Sequence, residues 1–101
     1  MRRIAKVDGN QRAIVAYLRA HGCSVVSLAT VGGGVPDLRV GRNRVTVLME
    51  VKLPSEVSRK SDTAAMQAAF RATWRGGPVV VVTTPEGAMA ALTAHVREVA
   101  P

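Results

Sequence analysis

A chain of 101 residues with 48% apolar side chains has room for one folded domain and not two, and is too apolar for wholesale disorder. Fourteen Lys and Arg against seven Asp and Glu leave a net charge of +7, which favours a polyanionic partner such as nucleic acid through attraction and counterion release. A lone cysteine, Cys23, excludes an internal disulfide and a cysteine metal cluster, and the basic start leads into no long apolar run, so neither a signal peptide nor a spanning helix is expected and a cytoplasmic setting, in a bacterial cell or phage-infected host, is the default.

Asp8-Gly9-Asn10-Gln11 reads as a helix entrance, with Asp8 capping and Gln11 as the reciprocal partner of a capping box. Ile14, Val15 and Leu18 then make an apolar stripe, and His21-Gly22 marks the stop of a helix over about Asn10 to Ala20. Cys23 to Ala29 holds Val25, Val26 and Leu28, enough for a first strand. A glycine-rich connection over Thr30 to Pro36 leads to a second strand at Asp37 to Val40. Gly41-Arg42-Asn43-Arg44 has turn chemistry, so a third strand at Val45 to Leu53 should pair antiparallel with the second.

Pro54 to Lys60 is polar, and helical spacing returns from Asp62 to Arg75. Met66, Phe70 and Thr73 or Trp74 line one side of that helix, whereas Thr63, Gln67 and Arg71 fall at i, i+4 and i+8 on another. Gly76-Gly77 ends it. Pro78 to Thr83 is nearly all β-branched and apolar, the pattern of a strand covered on both faces. Thr84-Pro85-Glu86 opens a last helix, with Met89, Leu92 and Val96 as its buried stripe. The order αβββαβα describes an α/β fold: a small mixed sheet flanked by helices, occupying residues 1–101 as a single domain.

The third strand carries the chemistry. Alternation puts Val45, Val47, Met49 and Val51 on one face and Thr46, Leu48, Glu50 and Lys52 on the other. Two charged groups on a largely apolar strand are costly unless paired or coordinated. Hairpin pairing brings Asp37 toward Glu50, and two converging carboxylates repel unless a cation bridges them. Oxygen donors of this kind suit magnesium or manganese with retained waters, and Lys52 beside the ion would polarise water or contact phosphate. The plain alternative is a surface hairpin on which Glu50 simply pairs with Lys52.

Val35-Pro36-Asp37-Leu38, with twelve residues between Asp37 and Glu50, and then Glu50-Val51-Lys52, resembles the PD-(D/E)xK nuclease signature. More narrowly, Gly34-Val35-Pro36-Asp37-Leu38 before a hairpin ending in Glu50-Val51-Lys52 is similar to the virus-type replication-repair nucleases, VRR-Nuc, of phages and bacteria. Thr63, Gln67, Phe70, Trp74 and Gly76 match that family's following helix in character, and the likeness runs from about Asp8 to Ala91. The resemblance implies a restriction-endonuclease-like core and a metal-dependent DNA endonuclease of the Holliday-junction-resolvase type, acting in DNA repair. By the same resemblance, Asp37, Glu50 and the Val51 carbonyl would hold Mg²⁺, with Mn²⁺ substituting. Lys52 would orient the water and Gln67 would support the lysine or the phosphate. In-line hydrolysis would leave a 5′-phosphate and a 3′-hydroxyl. One departure stands out: many relatives carry a first-helix Glu as a further ligand, whereas Gln11 to Ala20 contains no acid, leaving Asn10 or Gln11 to act through water.

Arg39, Arg42 and Arg44 on the hairpin, with Arg59 and Lys60 before the second helix, are the main candidates for DNA-backbone contact; Arg71, Arg12 and Arg75 follow. His21 is better read as a helix cap than as a catalyst, and His95 as solvent-facing. Gly32-Gly33-Gly34 lacks the Gly-Lys-Ser/Thr of a nucleotide loop, so no nucleotide cofactor is expected. Met66, Phe70, Trp74 and Met89 are assigned to packing. Branched DNA has two-fold character, which favours a homodimer. A non-catalytic DNA-binding module on a decayed nuclease fold is the competing reading, with a purely structural or protein-interaction domain third.

Overall fold

The computed structural model describes residues 9–99. The expected Asp8 cap lies outside them. Helix α1, Gly9–Ala20, buries Ile14 and Leu18 of the expected stripe with Val15 partly buried against the core, while Gln11, expected in a capping box, is buried one turn before Ile14. His21 closes it, its Nδ1 lying 2.7 Å from the Tyr17 carbonyl while its ring stacks on Tyr17.

Three strands follow: β1, Ser24–Ser27; β2, Leu38–Arg42; and β3, Val45–Val51. Strand β1 is shorter than the run of apolar residues suggested. Leu28 still donates to the Asp37 carbonyl at 2.7 Å, but Val31 N–H then bonds back to Leu28 and turns the chain into the glycine loop. The β2–β3 hairpin turns tightly on Asn43 and Arg44, both at positive φ (51° and 67°), as two-residue hairpins require. A short 3₁₀ turn, Pro54–Glu56, follows β3; Glu56 Oε1 accepts from Leu53 N–H at 2.9 Å where Pro54 can continue no ladder.

Helix α2, Asp62–Thr73, starts on Ser61, whose Oγ accepts from Ala64 N–H at 3.0 Å. It stops short of the expected Arg75. Trp74 leaves the helical conformation, stacks on Phe70 and lies over Gly76, where a Cβ would be 2.6 Å from the indole. Strand β4, Val79–Val82, and helix α3, Pro85–Val99, complete the fold, with Thr84 Oγ1 accepting from Gly87 N–H at 2.9 Å.

The sheet runs β1-β2-β3-β4, antiparallel for the first two pairs and parallel for β3 with β4. This is the mixed sheet and the αβββαβα order of a restriction-endonuclease-like fold. Its inner face packs Leu38, Val40, Val47 and Met49 against α1 and α3 through Ile14, Leu18, Ala88 and Leu92. Cys23 belongs to this core, its thiol pushed up by burial.

Two packing expectations are corrected. Strand β4 is not covered on both faces: Val82 is buried, but Val81 on the other side is 40% exposed. Being apolar and β-branched does not distinguish an edge strand from a central one, and β4 is an edge. Nor do Met66 and Trp74 pack inside, at 47% and 46% exposed, because α2 buries no residue fully. Phe70 and Met89 are partly covered. His95 is also partly covered, rather than simply facing solvent. Among the described residues no helix is long and apolar enough to cross a membrane.

Candidate active site

Register puts the two carboxylates side by side. Leu38 pairs with Met49, so one step further Asp37 stands opposite Glu50, and opposed residues of an antiparallel pair project from the same face. Asp37 Oδ2 accepts from the Val51 amide at 2.7 Å, tying its carboxylate to the end of β3. Glu50 near the end of β3 and Lys52 just past it, two residues apart, share that face, which is the outer one, opposite the packed core.

Helix α2 lies over this face and matches the strand spacing with its own. Gln67 and Arg71, one helical turn apart, meet Lys52 and Glu50 respectively. Lys52 Nζ donates to Gln67 Oε1 at 2.7 Å, and Arg71 Nη1 stands 3.3 Å from Glu50 Oε2. The approach depends on Gly34, at φ +83°. A Cβ there would lie 2.6 Å from the Met66 carbonyl carbon, against the α2 backbone immediately before Gln67. The glycine loop is thus the seat of α2.

Glu50 is 1% exposed, and its Oε1 is buried with no hydrogen-bond partner among the described residues. Burial first, and the neighbouring Asp37 charge second, push its carboxyl up to about 7 against the opposing pull of Lys52 and Arg71. One contact at 3.3 Å is longer than a strong charge-assisted bond and leaves the carboxylate short of positive charge. The orphaned oxygen, with Asp37 beside it, fits a hard divalent cation. Among the described residues no group of three or more His, Cys, Asp or Glu gathers, so the acidic donors at this site are two carboxylates.

A cleft of about 330 Å³ opens beside these groups, lined by Gln11, Asp37, Val51, Lys52, Arg59 and Gln67 among others. Arg59 therefore reaches the cleft, and Lys60 is exposed next to Ser61 on its rim. Arg39 projects from the same sheet face but lines an adjoining apolar groove with Leu48, Phe70 and Trp74. Arg42 and Arg44 lie elsewhere. They flank the hairpin tip at the opposite end of β3, roughly 20 Å from Glu50 at about 3.3 Å per residue, and Arg42 sits against α3 near Thr93 and Val96.

Asn10 and Gln11, named from the sequence as stand-ins for the missing first-helix acid, both reach the site, and Glu56 and Ser61 were not singled out. Asn10 Nδ2 donates to the Lys52 carbonyl at 2.9 Å, fastening α1 to the end of β3 across forty-two positions of chain. Gln11, which stands in the helix that lacks an acid, is nearly buried and borders the cleft. Glu56 and Ser61 line it too. Ser61 was readable as a cap before Asp62; Glu56 had no local signal beyond its position after Pro54.

The sequence profile described as "Archaeal holliday junction resolvase (hjc)" matches residues 3–95. No individual curated protein matches the chain. With nearly its whole length matched, and with Pro36-Asp37 and Glu50-Val51-Lys52 converging as they do, the chain belongs to the archaeal Holliday junction resolvase (Hjc) family, a PD-(D/E)xK-type family of nucleases that bind branched DNA.

Proposed function

We propose that this protein is a divalent-metal-dependent endonuclease that hydrolyses phosphodiester bonds of branched DNA, four-way junctions included. The observation that carries the proposal is the buried Glu50 carboxylate with one oxygen unsatisfied, opposite Asp37 and beside the Lys52–Gln67 pair. The narrower likeness to VRR-Nuc rests on Gly34-Val35-Pro36-Asp37-Leu38 and Glu50-Val51-Lys52.

Asp37, Glu50 and the Val51 carbonyl are the residues that would hold Mg²⁺ or Mn²⁺, which supplies a bound water of lowered pKa and stabilises charge on the phosphate. Gln67 holds the Lys52 ammonium toward the cleft, where it orients the attacking water and contacts a phosphate oxygen. Asn10 fixes the Lys52 backbone, so the ammonium swings from an anchored point. Arg59 and Lys60 at the rim place the DNA strand, with Arg39 on the flank; Arg42 and Arg44 are suited to a more distant arm of the junction. Among the described residues no base-reading cluster accompanies them, which agrees with recognition of backbone shape. The exposed Val81, Met66 and Trp74 on the outer face support a homodimer presenting two such clefts to a two-fold junction.

The competing reading, a binding module without turnover, draws on the first turn of α1, which carries no acid. Both are tested by incubating linear, nicked, flap and four-way DNA with Mg²⁺, with Mn²⁺ and with EDTA. Metal-dependent cuts in branched substrates are expected. Lys52→Ala should lower turnover by about 10²–10³-fold, the scale for losing one preorganised electrostatic group, with circular dichroism unchanged. Salt-sensitive binding without cleavage would select the binding module, and undiminished cleavage by Lys52→Ala would remove Lys52 from the mechanism.

A further inference from the structure

Arg71 occupies an unusual position for a cation on a basic, DNA-directed surface. Rather than facing solvent or the cleft mouth, its guanidinium turns back to the deepest acid of the site, 3.3 Å from Glu50 Oε2. The contact is single, not the two-pronged fork that Arg and a carboxylate usually form. The Arg71 side chain remains 35% exposed at its other side, whereas Glu50 is 1% exposed. The helix that carries Arg71 buries no residue fully, so little packing resists a change of rotamer.

We propose that Arg71 is a tethered counterion. It holds Glu50 while no divalent ion is present, and Glu50 exchanges it for the ion, freeing the guanidinium to bind a DNA phosphate. The inference rests on the reading of Asp37 and Glu50 as metal ligands. Its physical basis is charge. Buried beside Asp37, Glu50 needs a positive partner, and among the described residues Arg71 is the cation in contact with it. A divalent ion held by Glu50 and Asp37 would satisfy that need more fully and would repel a guanidinium a few ångströms away. Arg71 then has lost its partner and gained a like-charged neighbour, while the phosphate it would meet lies at the cleft bordered by Gln67, one turn earlier on α2. Metal and phosphate binding are thereby coupled, and the coupling must be reciprocal.

The exchange is tested on the full chain without DNA, by calorimetric titration of Mn²⁺ into wild type, Arg71→Gln, Arg71→Lys and Glu50→Gln. A pH of about 8.5, above the value of about 7 to which burial and Asp37 push Glu50, favours the ionised carboxylate. Arg71→Gln should bind Mn²⁺ roughly 3- to 10-fold tighter than wild type, a coupling of ordinary size. Arg71→Lys should fall between, and it carries the comparison should Arg71→Gln melt below the assay temperature. Equal or weaker binding by Arg71→Gln would make Arg71 a fixed support of Glu50 and overturn the exchange. If wild type binds Mn²⁺ and Glu50→Gln does not, the metal reading stands whatever Arg71 does. If no variant binds it and nothing is cleaved, both fall.

The second half is read from junction affinity in EDTA and in Ca²⁺. Arg71→Gln should lose about fivefold in Ca²⁺ and less than about twofold in EDTA. Equal losses in both would show that the contribution of Arg71 to junction binding does not depend on the metal, and no loss in either would show that it is never released; both overturn the exchange.

Discussion

The two faces of one four-stranded sheet do different work. The inner face is filled by Leu38, Val40, Val47 and Met49, all fully buried against α1 and α3. The outer face carries Asp37, Glu50 and Lys52, leaves Val81 exposed, and is spanned by an α2 that buries no residue fully. Helix α2 is held there by polar pairs, Lys52 with Gln67 and Arg71 with Glu50, and by the close seat at Gly34. A domain this small has one core's worth of burial to spend, and here it lies on the side away from the chemistry. That separation lets the outer face keep an unsatisfied carboxylate oxygen without endangering the fold.

The largest effects should come from the inner face. Leu92→Ala removes a fully buried side chain from the α3–sheet contact and should cost about 2–5 kcal/mol of unfolding free energy, measured by urea denaturation. Trp74→Ala on the outer face should cost under about 1.5 kcal/mol in the monomer, the scale of one aromatic pair, because the indole is half exposed. Similar losses at both positions would break the division of labour between faces.

An intermediate effect follows from Glu50. Its folded pKa, about 7, lies above the unfolded value of 4.5, so the native state binds more protons between those values. Metal-free stability should therefore fall as pH rises from about 4.5 to about 7 and level off above, by something on the order of 3 kcal/mol. Glu50→Gln should lack this decline, so the difference between the two melting profiles across that window isolates the group. Excess Mg²⁺ should reverse the trend for wild type, since ion binding favours the deprotonated carboxylate.

A smaller effect than those at Leu92 and Glu50 concerns Gly34, where α2 is seated. Gly34→Ala places a Cβ against the Met66 carbonyl at a positive φ, costing about 1–2 kcal/mol of backbone strain and pushing α2 outward. Junction cleavage should drop more steeply than stability, because Gln67 loses its hold on Lys52. A variant with full activity and an unshifted melt would show that the loop does not position the helix.

Much of this fold was readable locally. Thr84-Pro85 announced α3, Asn43-Arg44 the hairpin, and strict alternation the shared face of Glu50 and Lys52, because capping, turn chemistry and the two-residue strand period act over a few neighbours. The grouping of Thr63, Gln67 and Arg71 was likewise visible as helical spacing. Which strand residues they would meet was not. That depends on the rotation and height of α2 over the sheet, set by Gly34 twenty-eight positions before the helix begins at Asp62.

The amino-acid order by itself determined the elements, their sequence along the chain and the charged end of β3, since each follows from short-range sterics and periodicity. Tertiary structure alone decided that β4 lies at an edge with Val81 uncovered, that Asn10 reaches the Lys52 carbonyl, and that Arg71 answers Glu50. Those outcomes depend on long-range register and on how well burial satisfies each charge, quantities that no stretch of chain carries within itself.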